Sequence, residues 1–282
     1  MKKCVILCSS IVLAPLVVQA KVNEPVVDNV ITEQRAALAE NTQGKGFGPQ
    51  SPRDIENLTG NNQRVSGIAP VYTNMNLCNI HIHKNAEHKG GEFNKYAGNG
   101  DGKGNNTGYI YNGKLSTVEL KPFNQAVGSE KYGKLQSGDT IEVHYVHSTA
   151  QVKPGPTLGA CLDESISNPQ LRVETQVYVL VNDRDALDFV ELAKYGQKES
   201  FYQALNIPSN TGKPIQYSGS TTGPNYNEKG SPLQVTWNVR PRVAKVDIAS
   251  VAKWLANNDF NEDHAQGVRN LVINPELLSQ GY

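Results

Sequence analysis

Three of the six histidines in this chain lie in one stretch, Cys78-Asn-Ile-His-Ile-His-Lys-Asn-Ala-Glu-His88. Alternate side chains of an extended strand share a face, so a strand here turns His81 and His83 one way and Ile80 and Ile82 the other. Two imidazoles side by side can hold one metal ion, and a third ligand has to come from another segment. The other histidine pair is in Ile141-Glu-Val-His-Tyr-Val-His147, which alternates in the same manner and puts Glu142 and His144 on one face. Three imidazoles with the fourth position open are the ligand set of a catalytic zinc, whereas a structural zinc closes all four positions. Zinc in such a site lowers the pKa of a bound water to about 7, which supplies a nucleophile at neutral pH without a general base from the protein.

For His81, His83 and His144 to meet, their two segments must be neighbouring antiparallel strands. Strand signals run over 77–83 and 139–147 and recur at 171–181 and 233–239, all rich in Val, Tyr, Thr or Trp. Helical periodicity is confined to 184–194, 198–205 and 247–257, with a weaker patch at 31–39. Residues 21–65 are polar and read as a wrapping arm, and the Gly- and Asn-rich 89–113 as loop and turns. There is no internal repeat and no linker. The expected architecture is mainly β, one mostly antiparallel sheet with peripheral helices, in a single domain over 21–282.

The chain opens with Met1-Lys-Lys, an apolar run from Val5 to Val18, and Val18-Gln-Ala20 before Lys21, the pattern of a cleaved secretory signal over 1–20. Export to the periplasm or the medium is therefore expected, with no membrane anchor, because the run is short for a bilayer. Lys plus Arg and Asp plus Glu balance at 27 each, so no charged field recommends nucleic acid or a cationic partner. A small-molecule substrate fits better. Cys4 and Cys8 leave with the signal, and Cys78 and Cys161 remain in an oxidising compartment, where a disulfide is the default.

Around the two histidine strands the sequence resembles a carbonic anhydrase, and the wording of 78–88 is similar to the delta class. Other fragments resemble the alpha class in the same chain order: Gln50-Ser-Pro-Arg-Asp-Ile55, Glu142-Val-His-Tyr-Val-His147, Tyr217-Ser-Gly-Ser-Thr-Thr-Gly-Pro224 and Val235-Thr-Trp237. The resemblance implies a large, mostly antiparallel twisted sheet, and reversible hydration of carbon dioxide by zinc-bound hydroxide. It implies zinc on His81, His83 and His144, with Asn79 and Glu142 hydrogen-bonded to the first and third ligands. It makes Glu87 and Thr221 a pair whose hydroxyl accepts from the hydroxide and donates to the carboxylate. It makes Val146, Val235 and Trp237 the apolar wall where carbon dioxide rests. The sequence departs from the alpha pattern in a loop one residue short before Thr221 and Thr222, and in having no histidine between 21 and 80 to shuttle protons.

Blander readings stand beside these. His88 and His147 are expected as buried structural histidines, and Cys78 is not expected as a ligand. His81-x-His83-x-x-x-Glu87 also fits the first cupin metal motif, with Glu87 as a ligand, in a metal-dependent oxygenase or isomerase; no Pro-x-Gly-x-x-His follows. A periplasmic zinc-binding protein without turnover would use the same histidines. Three nitrogens with a water separate the anhydrase from a cupin site that includes a Glu87 oxygen.

Overall fold

The structure is a computed structural model, and it describes residues 24–129, 132–166, 168–221 and 227–280. The expected signal, 1–20, lies outside the described residues. In chain order the elements are α1 (Asp28–Thr42), β1 (Asn76–Lys84), β2 (Lys95–Tyr96), β3 (Tyr109–Ile110), β4 (Thr140–Ser148), β5 (Leu171–Val181), α2 (Phe189–Leu192), β6 (Tyr195–Lys198), β7 (Phe201–Ala204), β8 (Ile215–Ser220), β9 (Gln234–Asp247) and α3 (Ile248–Ala256). Five strands form the main sheet in the order β1-β4-β5-β9-β8. Neighbours run antiparallel except β5 and β9, which are parallel. The mainly β expectation holds, with one parallel pair inside the sheet.

Both sheet faces are buried, and the alternation of each strand sorts its residues between them. Ile80, Ile82, Val143, Tyr145, Tyr178 and Leu180 point into the larger core, closed by Ile248, Val251, Trp254 and Leu255 of α3. Val146, Val173, Val177, Tyr217, Val235, Trp237 and Val239 form a second core on the other face. That face also carries the histidines. Helix α3 starts where Asp247 accepts a hydrogen bond from Ala249 N, an N-cap.

Strand β1 is not regular. Leu77 pairs with His147 but Asn79 pairs with Val146, so Cys78 is the extra residue of a β-bulge. The bulge lets Leu77 join Ile80 and Ile82 in the larger core while Cys78 enters the second core. There it forms the expected disulfide with Cys161, 83 residues away.

Two helical expectations fail. The 184–194 signal shrinks to the four residues of α2, and 198–205 is no helix but most of the β6–β7 hairpin. That hairpin turns at Glu199, with φ 55°, and is fastened to β1 through Tyr202 N to Asn76 Oδ1 at 3.0 Å and Gln203 Nε2 to Met75 O at 2.7 Å. These tertiary bonds override a short local periodicity. The weak patch at 31–39 extends to all of α1, and 89–113 is loop apart from the two-residue strands β2 and β3.

Both ends of the described chain wrap the sheet. The arm pairs with the β8 edge through Ser220 N to Pro49 O at 2.8 Å. The C-terminal segment lies on the outer edge of β1, with Gln266 N to Ile82 O at 2.8 Å and Lys84 N to Gln266 O at 2.9 Å. Among the described residues no helix is long and apolar enough to cross a membrane.

Candidate metal centre

The β1–β4 register sets His81 opposite His144 and His83 opposite Glu142, so the two strands bring the three imidazoles together as the spacing requires. Ring centroids lie 5.1 Å apart for His81 and His83, 4.9 Å for His81 and His144, and 4.7 Å for His83 and His144. All three rings are buried.

Each ring has one nitrogen committed to an acceptor that faces away from the cluster. His81 Nδ1 donates to Asn79 Oδ1 at 2.6 Å, His83 Nδ1 to Gly267 O at 2.9 Å, and His144 Nε2 to Glu142 Oε1 at 2.5 Å. The nitrogens left for one another are His81 Nε2, His83 Nε2 and His144 Nδ1, each with a lone pair. His83 Nε2 is buried with no hydrogen-bond partner, and His81 Nε2 faces His144 Nδ1 at 3.1 Å. Two lone pairs at that distance repel unless a cation lies between them. Two nitrogens at tetrahedral angles around a zinc, with bonds of about 2.0–2.1 Å, sit about 3.3 Å apart, so the donor set fits the ion.

Electrostatics favour the neutral rings that a metal needs. Burial, and then repulsion from His144 and His83, holds His81 well below its ordinary pKa; burial lowers His83 and His144 as well. Burial alone would raise the Glu142 carboxyl, but His88 beside it and hydrogen bonds from His144 and His88 hold it well below the usual carboxylate range. Glu142 accepts from His144 Nε2, from His88 Nδ1 at 2.8 Å, and from the backbone N–H of Glu87 at 3.0 Å and of His88 at 3.3 Å. His88, Glu142 and His144 could also be read as a ligand group. Their facing atoms are already joined by hydrogen bonds, whereas in the His81 group His83 Nε2 has no partner, and His81 Nε2 and His144 Nδ1, 3.1 Å apart, have no proton to share once each neutral ring has donated outward.

Of the remaining expected residues, Trp237 lies against this cluster and Val146 and Val235 share its hydrophobic core. Val146, Val235 and Trp237 are buried, and the indole lies 5.0 Å from the His144 ring and 4.8 Å from His88. His88 and His147 are fully buried, His147 donating through Nδ1 to Tyr145 O at 3.0 Å. Glu87 is buried with Oε1 unpartnered, and no ligand group among the described residues includes it. Burial raises its pKa, opposed by His144, His88 and Arg269. Glu87 and Thr221 are not hydrogen-bonded to each other here. At the end of β8 the Thr221 backbone is fixed to Leu233 O, and its hydroxyl lies 3.2 Å from that of Ser231. Thr222 lies outside the described residues.

Two contributors come from the C-terminal segment. Gly267 supplies the carbonyl that holds His83, and a Cβ on it would meet Gly104 O at 2.7 Å, so the loop needs glycine there. A backbone carbonyl leaves no mark in a sequence. Arg269 is buried, its pKa lowered to about 10 by burial, and reaches Gln50 Oε1 at 3.2 Å. Its signal was legible as a lone cation in Val268-Arg-Asn-Leu-Val-Ile273. His264 does not join the cluster; it stacks on Tyr132 at 4.0 Å beside Asp263.

The family model of the delta carbonic anhydrases matches residues 72–250. That span is more than half of the chain, so the protein belongs to the delta carbonic anhydrase family and is a carbonic anhydrase. Among solved structures it is similar to an alpha-carbonic anhydrase of Photobacterium profundum, at 19% identity over 81% of this chain and 88% of that one, with a TM-score of 0.27. It is also similar to an alpha-carbonic anhydrase from Thermovibrio ammonificans in complex with the inhibitor sulfanilamide, at 14% identity over 79% and 84%, with a TM-score of 0.27. No curated protein matches the sequence.

Proposed function

We propose that this chain hydrates carbon dioxide reversibly, to bicarbonate and a proton, at a zinc ion held by His81 Nε2, His83 Nε2 and His144 Nδ1. The observation that carries the reading is the convergence of three ring nitrogens whose partner nitrogens are all turned outward to fixed acceptors, which leaves the converging three their lone pairs when the rings are neutral. When bound, zinc supplies Lewis acidity that brings a water's pKa near 7. The chain's own residues do the rest. Asn79 Oδ1, Gly267 O and Glu142 keep the three rings in the tautomers that leave those lone pairs free. Val146, Val235 and Trp237 give an apolar substrate a place beside the rings from which water is excluded. Glu87 Oε1 is the open acceptor for a hydroxyl proton, the place proposed for Thr221; a hydroxyl that has donated to Glu87 can only accept from the nucleophile, which aims it.

Glu87 stands outside the ligand group, which speaks against the cupin arrangement. The apolar wall beside His144 speaks against a site that only stores metal. The exported product, residues 21–282, works in this reading as one catalytic domain in an oxidising compartment, its disulfide in keeping with that place. Metal analysis and stopped-flow hydration assays on the mature protein and its His144→Ala variant test the proposal. One zinc per chain and rapid hydration are expected, both lost in the variant; full zinc and normal hydration in His144→Ala would overturn the assignment.

A further inference from the structure

Resting on the zinc site just proposed, we infer that the Cys78–Cys161 disulfide is a positioning device for His81, acting through Gly155 and Asn79. His81 needs its proton on Nδ1 for Nε2 to face the metal, and that proton is fixed by an amide oxygen, Asn79 Oδ1, at 2.6 Å. An amide can present its oxygen or its NH2 in the same place, so something must set its orientation. Asn79 Nδ2 donates to Gly155 O at 3.0 Å, a carbonyl that can only accept. Gly155 O therefore holds the Asn79 oxygen toward His81.

Gly155 is in turn placed by the bulge residue. Its N–H donates to Cys78 O at 2.9 Å, and it lies between Pro154 and Pro156, whose rings restrict the backbone on either side. From Pro156 the chain passes Thr157, which has a positive φ of 59°, into a short 3-10 turn, Leu158–Cys161. A non-glycine residue keeps such a conformation only where its surroundings impose it. Here the far end is fixed by the disulfide and by Ser148 Oγ to Cys161 O at 2.7 Å. Reduction frees one end of a strained segment whose other end orients the amide. The bulge makes this possible, since a regular strand would send Cys78 to the face opposite the histidines.

The test is a double-mutant cycle read by zinc release to a chelator, with thermal stability measured alongside. Reduction of the wild type, or Cys161→Ser, is expected to speed zinc loss by about 10-fold or more, the scale of a lost outer-shell partner. In Asn79→Ala, where the amide is already gone, reduction should leave the release rate unchanged. As a second measurement on unmutated, zinc-loaded protein, reduction should hasten solvent exchange of the His81 ring N–H in NMR spectra while those of His83 and His144 hold. Equal acceleration in both backgrounds, a lower Tm with unaltered zinc release, or equal loosening of all three rings would overturn the inference. Oxidised wild-type protein that takes up no zinc would instead fail the metal site on which it rests.

Discussion

Glu142 and Glu87 are both buried carboxyls near the same rings, and their surroundings give them different tasks. Glu142 is saturated by four donors and is ionised; Glu87 has a bare oxygen and a raised pKa. Glu142→Gln puts an NH2 where only acceptors fit, so one donor faces another in a buried site. Zinc affinity should fall by about 10–100-fold and stability by about 1–3 kcal/mol, measured by chelator competition and urea unfolding. Glu87→Gln should keep its zinc and slow turnover by about 10²–10³-fold. Loss of metal from that variant would return Glu87 to the ligand set. The convergence of the three histidines was legible, because a strand's period of two converts spacing into facing. What orients them was legible only where a side chain does it: Asn79 and Glu142 could be named, Gly267 O and Gly155 O could not.

At the scale of elements, the strands that hold the three histidines were found nearly to their ends, because β-branched residues over a full strand length leave little choice of structure. The β6–β7 hairpin was missed for the opposite reason. Its strands have four residues each, and its place is fixed by bonds to Asn76 and Met75, distant in the chain. The C-terminal segment gave no periodic signal at all, yet Gln266 completes the hydrogen bonding of β1. Gln266→Pro removes the donor to Ile82 O and, by leaving that carbonyl unpaired, should cost about 1–3 kcal/mol. Hydrogen exchange should locate the damage: the Lys84 amide, which donates to Gln266 O, should lose its protection while the β4–β5 amides keep theirs. Unchanged protection at Lys84 would mean that the segment does not support the strand.

For the molecule as a whole, one carboxyl outside the centre sets a pH dependence. Partial burial lifts Glu262 from 4.5 to about 7, although Gln266 Nε2 donates to both of its oxygens. A folded-state pKa above the unfolded value means that the folded protein binds the proton more tightly. Stability is therefore lost as pH rises from about 4.5 through about 7, and stays lost above it. Glu262→Gln removes the titration, so the variant should exceed wild type by about 1–3 kcal/mol at pH 8 and by nothing at pH 4, as read from urea midpoints of the metal-free proteins. A final consequence follows from where β1 lies. The strand that carries His81 and His83 is also the outermost of its sheet, and the segment that steadies His83 covers its open side. An uncovered strand edge is a template for a second chain. A molecule whose C-terminal segment comes away should therefore not only hold its metal loosely but also add strand to strand with its neighbours, making aggregation the first visible sign of a damaged centre.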